Sequence, residues 1–377
     1  MVRTYYLDSF EFSKETQYEV QSWSDSTTLN DTEKVLSMNR WNHRWQLWLA
    51  SLLLCGCSLS GKQSTIVADG PVAQLQYETF LVTLWVSLAI FAVVGGLFFY
   101  CVIKFRAPGG DVAADYPLPD QGHGNPLIEI GVILVSILLV GVVAVPSVYG
   151  VLYSGTVPMG QQPLIIKVTG FQWWWKFEYP DLGVVTGNEA VIPVGRPVKF
   201  HVQTADVLHS FWVPRLGGKM DLTPGQDNWL WLQADRPGNY WGQCTEFCGE
   251  SHAFMRFRVI AKEEREFEQW AAAEKKGVVN EQWPKSLSTN QCGICHSIRG
   301  VPGAQGLVGP DLTHIGSRST IAAGLLDNTE ENLKDWLKRP NFHKPGNTMY
   351  KAGYQAMKIE ITDEEASELA KYLMTLK

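Results

Sequence analysis

The chain is short of cysteine, of net charge and, over two long stretches, of any charge at all. Seven cysteines in 377 residues are too few for a disulfide framework. Four of them fall in two close pairs, 244/248 and 292/295, a pattern of metal and cofactor chemistry. The formal net charge of -6, from 32 Lys+Arg against 38 Asp+Glu, offers no basic surface for a nucleic-acid partner. Charge is missing from Phe80 to Ile103 and again from Ile130 to Tyr153. Each run is long enough to cross roughly 30 Å of hydrocarbon as a helix. Sustained periodicity is missing from residues 1–37, which are rich in Ser, Thr, Asp and Glu and read as a disordered extension. A chain of this length exceeds one ordinary core, so two to three domains are expected.

After the extension comes a basic start, Met38-Asn39-Arg40-Trp41-Asn42-His43-Arg44, then an apolar run from Leu47 to Leu54 and Cys55-Gly56-Cys57-Ser58. Residues 38–57 read as a secretory signal, too short to span a bilayer comfortably. A small residue before Cys57 at the cut resembles a lipoprotein signal, which makes Cys57 the lipidated first residue and Met38 the expected start. Plain hydrophobic filler is the alternative for both cysteines. Residues 58–76 are small and polar, a linker. Residues 77–160 form a transmembrane hairpin with Pro146 inside its second span. Lys104 and Arg106 directly follow the first span and place loop 104–129 inside the cell. Both ends of the hairpin then face outward, as a lipoprotein signal requires. Cys101 reads as an inert small hydrophobe within the membrane. Glu129, where the second span begins, is either favourable charge at a helix N-terminus or a functional ionisable group at membrane depth.

Residues 161–262 carry short alternating runs bounded by Gly and Pro, such as Leu164–Val168 and Val198–Val202, and read as an all-β sandwich. His201 reads as a strand residue with a satisfied ring. Near the end of this block lies Cys244-Thr245-Glu246-Phe247-Cys248-Gly249-Glu250-Ser251-His252-Ala253-Phe254-Met255. Sulfur with imidazole selects copper or zinc over oxygen-loving ions. Two thiolates so close can bridge two metal ions, with a second imidazole brought from elsewhere; His209, in Asp206-Val207-Leu208-His209, is the obvious donor. A Cys2His2 zinc site would use the same residues but leaves Met255 unexplained. A Cys244–Cys248 disulfide is a further alternative on the oxidising side of a membrane.

The spacing Cys-x-Glu-x-Cys-Gly-x-x-His-x-x-Met is similar to the binuclear copper (CuA) loop of cytochrome c oxidase subunit II. That resemblance implies a cupredoxin domain over 161–262, with ligands His209, Cys244, Glu246 (through its backbone carbonyl), Cys248, His252 and Met255. It also implies a magnesium site shared with subunit I at the Glu246 side chain, and a place for Glu129 near the mouth of a proton-uptake channel. Gly170-Phe171-Gln172-Trp173-Trp174-Trp175-Lys176-Phe177-Glu178-Tyr179 is a second signature of the same family. Its first Trp, here Trp173, is implied to be where electrons are received. Trp174 stands where the family usually has Tyr.

Residues 263–284 are charged and Ala-rich, with Phe267, Trp270 and Ala271 at helical spacing, and read as a connector helix. Residues 285–377 open with Cys292-Gly293-Ile294-Cys295-His296, a C-x-x-C-H haem attachment motif. The thiols would add to the haem vinyl groups and His296 would bind the iron. Lys344-Pro345-Gly346-Asn347-Thr348-Met349 fits a loop delivering a second axial ligand, Met349, with Met357 and His343 as competitors. Gly309-Pro310-Asp311-Leu312 resembles a segment that packs against the haem edge, and His314 reads as a polar contact. Thr329 starts a helix that Pro340 stops, and Thr362 with Glu365 forms a capping box before the apolar stripe Ala366, Leu369, Ala370, Leu373. Helices around a covalent haem c make a cytochrome c fold.

The expected protein is therefore a multidomain membrane protein: a two-helix transmembrane hairpin, an all-β cupredoxin-like sandwich and an all-α cytochrome c domain. The order resembles subunit II of caa-type bacterial oxidases. That family implies electron delivery from a cytochrome c or an upstream respiratory complex to subunit I in the bacterial cell membrane. Oxygen reduction and proton translocation would occur there, among other oxidase subunits and membrane lipid. A membrane-anchored electron carrier outside any oxidase is the alternative.

Overall fold

A computed structural model of the chain describes residues 60–106, 122, 124–160, 162–277 and 282–377. The expected extension 1–37, the signal 38–57 with Met38, Cys55 and Cys57, and most of the loop between the spans lie outside the described residues.

Two long helices come first, α1 (Pro71–Lys104) and α2 (Pro126–Ser154). Both are long and apolar enough to cross a membrane. Their side chains face outward, with Phe91 78% exposed, as a lipid-facing surface would be. Helix α1 starts before the uncharged run, so residues 71–76 are helical rather than linker. Pro71 suits that position, because its missing N–H would have no intrahelical partner. Asn125 caps α2 by accepting from Leu127 N at 3.0 Å. Within α2, Ser147 Oγ donates to Val143 O beside Pro146, whose ring removes one helical donor. The chain just before α1 is pinned to the sandwich by Asp69, a buried carboxylate paired with Arg215 and Arg236.

Residues 164–262 form two packed sheets, as expected. One holds β1 (Leu164–Phe171), β2 (Trp174–Tyr179), β3 (Val184–Gly187), β5 (Val198–Thr204) and β8 (Asn228–Leu232), in the order β3-β2-β1-β5-β8. The other holds β4 (Glu189–Pro193), β6 (His209–Trp212), β7 (Lys219–Leu222), β9 (Gly238–Cys244) and β10 (Arg256–Lys262), in the order β4-β10-β9-β6-β7. Alternation along β2, buried at Trp175, Phe177 and Tyr179, turns every second side chain into the space between the sheets. Trp175, Phe177, Phe200, Phe211 and Phe257 are fully buried there, and Phe211 stacks on Phe257 at 4.5 Å. Each such apolar side chain contributes about 1.5–3 kcal/mol on burial. His201 sits on β5 with Nδ1 3.3 Å from Asp227, a strand residue as expected. Helix α3 (Glu264–Glu274) lays Phe267 and Trp270 against the sandwich, the Trp270 ring 5.3 Å from that of Tyr179.

The last segment is mostly helical: α4 (Lys285–Thr289), α5 (Cys292–Cys295), α6 (Glu330–Lys338), α7 (Pro340–His343), a π-helix at Met349–Gln355 and α8 (Asp363–Thr375), with a small hairpin at 320–327. Thr329 accepts from Asn332 N at 3.1 Å to start α6, which ends at Lys338. Pro340 cannot extend α6 and instead occupies the first turn of α7. The Thr362–Glu365 capping box is present at the head of α8. Leu333 and Leu337 of α6 bury against Ala366, Leu369 and Leu373 of α8 in one core.

Candidate metal and haem centres

The sandwich brings His209 and the cysteine loop together by register. Strand β6 pairs with β9 so that Phe211 lies opposite Cys244, which puts His209 at the start of one strand and Cys244 at the end of the other. The 245–255 loop then returns to β10, with Cys244 N donating to Met255 O at 2.9 Å. His209, Cys244 and Cys248 offer ligand atoms all within 4.8 Å of one another. The two sulfurs are 3.8 Å apart. His209 Nδ1 lies 3.8 Å from Cys244 Sγ, and His252 Nδ1 3.5 Å from Cys248 Sγ. Met255 Sδ is 3.8 Å from Cys248 Sγ, and the Glu246 carbonyl 3.3 Å from Cys244 Sγ. The side chains of Glu246 and Phe247 face outward, Phe247 at 76% exposure.

A sulfur pair with an imidazole beside each sulfur and a thioether and a carbonyl at its ends is a donor set of the right softness for copper, and it accounts for Met255 as a zinc site does not. The outer contacts agree. His209 Nε2 lies 2.8 Å from Asp206 Oδ1, which leaves Nδ1 to face the sulfur. Burial pulls the His209 imidazolium down, but Asp206 and Cys244 together raise it above its usual range. Burial likewise works against Asp206, yet bonds from His209 and from the Gln172 and Val207 amides hold its carboxyl below the usual range. Contact with Cys248 drives the Cys244 thiol down, and the same contact drives Cys248 up, so the pair gives up its first proton easily and its second reluctantly.

Trp173 lies between β1 and β2 at 7% exposure, and its indole Nε1 donates to the Cys248 carbonyl at 2.9 Å. Gln172 Nε2 donates to the same carbonyl at 2.7 Å, while Gln172 N donates to Asp206 Oδ2 at 2.7 Å. Asp206 thus joins the Trp173 turn to His209. Sequence reading gave Asp206, Gln172 and Lys344 no role; the Asp three residues before His209 was the one visible signal. Trp174 stacks on Phe171 at 4.6 Å.

In the helical segment, Cys292, Cys295 and His296 line one apolar cavity with Met349 and Met357. His296 Nδ1 donates to Pro310 O at 2.8 Å, which leaves Nε2 as the ring's free ligand atom. Burial holds the His296 imidazole below its usual range, in the neutral form a metal needs. Burial pushes the Cys292 thiol up to about 11. Gly309 allows a close approach, since a Cβ there would meet His296 Cε1 at 2.4 Å. Gly309, Pro310 and Leu312 line the same cavity. An apolar pocket lined by two thiols, an imidazole with a free ring nitrogen and two thioethers fits a covalent haem. Of the competing axial ligands, His343 is turned away, its Nε2 2.7 Å from Asp335 Oδ2, whereas Met357 shares the cavity with Met349. His314 Nε2 lies 2.9 Å from Lys276 O, a polar contact as expected. Glu129 lies in the first turn of α2, exposed on the isolated chain.

The sequence matches two family profiles, cytochrome c oxidase subunit II, periplasmic domain, over residues 183–262 and cytochrome c over residues 285–377. It is 37% identical to cytochrome c oxidase subunit 2 of Alkalihalophilus pseudofirmus, over 87% of this chain and 94% of that one. It is 35% identical to cytochrome c oxidase subunit 2 of Bacillus sp. (strain PS3), over 90% of this chain and 99% of that one. Among solved structures, the periplasmic domain of cytochrome oxidase subunit II from Bradyrhizobium japonicum is 36% identical, covering 32% of this chain and 97% of that domain at a TM-score of 0.31. Near-complete coverage of relatives that carry that name, with the two profiles side by side in this order, shows that the chain belongs to the cytochrome c oxidase subunit 2 family, in the form with a fused C-terminal cytochrome c domain, and is part of an oxidoreductase complex.

Proposed function

We propose that the chain carries electrons from a cytochrome c donor, or from an upstream respiratory complex, to haem in subunit I of a terminal haem-copper oxidase. Oxygen reduction to water and the coupled movement of protons belong to that partner. The observation that carries this reading is the pair of sulfurs 3.8 Å apart with an imidazole nitrogen beside each.

His209, Cys244, Cys248, His252, Met255 and the Glu246 carbonyl would hold a binuclear copper centre. Cys292, Cys295 and His296 would hold a covalent haem, with Met349 as its second axial ligand. These groups supply one-electron transfer when bound. The residues around them do the rest. Asp206 orients the His209 ring through Nε2. Trp173 covers the loop and ties its indole to the Cys248 carbonyl, which supports it as the point where electrons are received. The buried strands exclude water from the sulfurs. The exposed Glu246 carboxylate is free to face a magnesium ion at the boundary with subunit I, and Glu129 to receive protons at the mouth of an uptake path. Helices α1 and α2 would anchor the chain in the bacterial cell membrane, with Cys57 lipidated and both redox domains on the outer face.

Metal and haem analysis of the purified protein tests this directly. Two coppers per haem are expected, and Cys244→Ser should abolish the copper pair while leaving the haem. Zinc, or one copper per haem, would overturn it. Trp173→Ala should keep both cofactors and slow copper reduction; unchanged reduction would remove its role.

A further inference from the structure

The described structure contains a polar interface that none of the assigned functions uses. Glu189 begins β4 on the sandwich and is 6% exposed. Its carboxylate takes four hydrogen bonds, all from the cytochrome segment: Ser319 N at 3.1 Å, Ser319 Oγ at 2.7 Å, and Thr320 N and Oγ1 both at 2.8 Å. A buried carboxylate without such donors would be costly, so this arrangement is complete only when both parts are in contact. Nearby, Arg258 Nη2 donates to Gly324 O at 3.0 Å and Arg256 N to Ala323 O at 3.1 Å. The surfaces approach closely enough that a Cβ on Gly187 would lie 2.6 Å from Pro310 Cβ.

At the other end of the same interface Lys344, 3% exposed, reaches out of the cytochrome segment to donate to the backbone carbonyl of Trp173, while Ala322 O of its own segment holds the same ammonium at 3.4 Å. Thr348 Oγ1 donates to Gln172 O at 3.0 Å, and Ser251 Oγ to Pro345 O. Trp173 and Trp174 form part of the wall of the cavity that holds His296 and Met349.

We propose that the cytochrome segment is clamped, not merely tethered, onto the sandwich, with Glu189 and Lys344 as the two positioning residues that hold the haem cavity against Trp173. This deepens the functional reading above and rests on it for the identity of the cofactors. A clamp has a consequence for partners. Trp173 is covered by the chain's own cytochrome segment, so a soluble cytochrome c can deliver electrons only to the attached haem. Each transfer then oxidises the haem iron by one electron and reduces the copper pair by one, across a fixed gap.

The test is made on the holo-oxidase. After rapid reduction of the haem by soluble cytochrome c, haem-to-copper transfer is followed in a glycerol series. Wild-type transfer should be independent of viscosity. Glu189→Ala and Lys344→Met should keep both cofactors and the rate of haem reduction, but slow haem-to-copper transfer about tenfold or more and make it viscosity-dependent, because a small misplacement costs rate steeply. Glu189→Gln, which keeps an acceptor oxygen, should restore part of the rate. Ser319→Ala with Thr320→Val attacks the clamp from the other side if Glu189→Ala folds poorly. Hydrogen exchange on the cofactor-loaded protein gives a second readout: the Ser319 and Thr320 amides should be as protected as strand amides, and lose that protection in Glu189→Ala. Viscosity-dependent wild-type transfer, variant rates equal to wild type, or fast exchange at Ser319 and Thr320 would overturn the clamp. Complete absence of transfer would strike the functional reading instead and leave exchange to decide the clamp.

Discussion

Asp206 Oδ1 lies 2.8 Å from His209 Nε2, while the opposite ring nitrogen, Nδ1, lies 3.8 Å from Cys244 Sγ. One carboxylate thereby fixes both the tautomer and the aim of a proposed ligand that comes from a strand far in sequence from the cysteine loop. Its other oxygen holds the Gln172 amide beside Trp173.

Asp206→Asn should therefore weaken copper binding by about tenfold to a hundredfold, the usual cost of losing an outer-shell carboxylate on a metal-bound histidine. Competition with a chelator would measure it. Wild-type affinity in the variant would remove Asp206 from the site.

The axial methionine can be decided by two substitutions. Met349→Leu should change the haem spectrum and lower its midpoint potential, because thioether ligation raises the potential. Met357→Leu should leave both as they are. The reverse result would transfer the assignment to Met357, which shares the cavity.

Lys344 makes stability depend on pH above neutrality. Burial pushes its ammonium down to about 7, with Cys248 raising it and Arg256 lowering it further. The unfolded chain, with the ordinary lysine value, then binds more protons than the folded chain between about 7 and about 10.4. Stability of the metal-free protein should rise with pH across that window. Lys344→Met should flatten the rise, read as the difference between chemical denaturation curves of the two proteins. Parallel pH profiles would contradict it.

Thr362→Ala removes the hydroxyl that accepts from Glu365 N at 3.2 Å, one half of the capping box on α8. Loss of about 1 kcal/mol from the cytochrome segment is expected. Denaturant unfolding followed by haem absorbance would report it, and no change would show that packing against α6 alone sets the start of α8.

Much of the site was legible because its chemistry is carried by short spacings. Cys244, Cys248, His252 and Met255 lie on one loop between two paired strands, and Cys292, Cys295 and His296 on one turn. Ligand type and separation are properties of the chain before it folds. The uncharged runs behaved likewise, since length and apolarity are enough to mark a helix able to cross a membrane. The start of α1 at Pro71 was not legible, because Pro71, Gln74 and Gln76 interrupt the apolar pattern, while burial of Val72 and Ala73 beside the Asp69 anchor is visible only in the fold. Nor could spacing separate Met349 from Met357, which the π-helix brings to the same cavity.

The order of local motifs along the chain determined the family, the donor types and the three-part architecture, because those depend on residues near one another in sequence. The tertiary structure decided which distant groups complete each centre. Asp206 meets Gln172, Glu189 meets Ser319 and Thr320, and Lys344 meets Trp173 because strand register and packing between the two outer parts bring them together. No spacing along the chain encodes those meetings, since each depends on how two surfaces fit after both have folded.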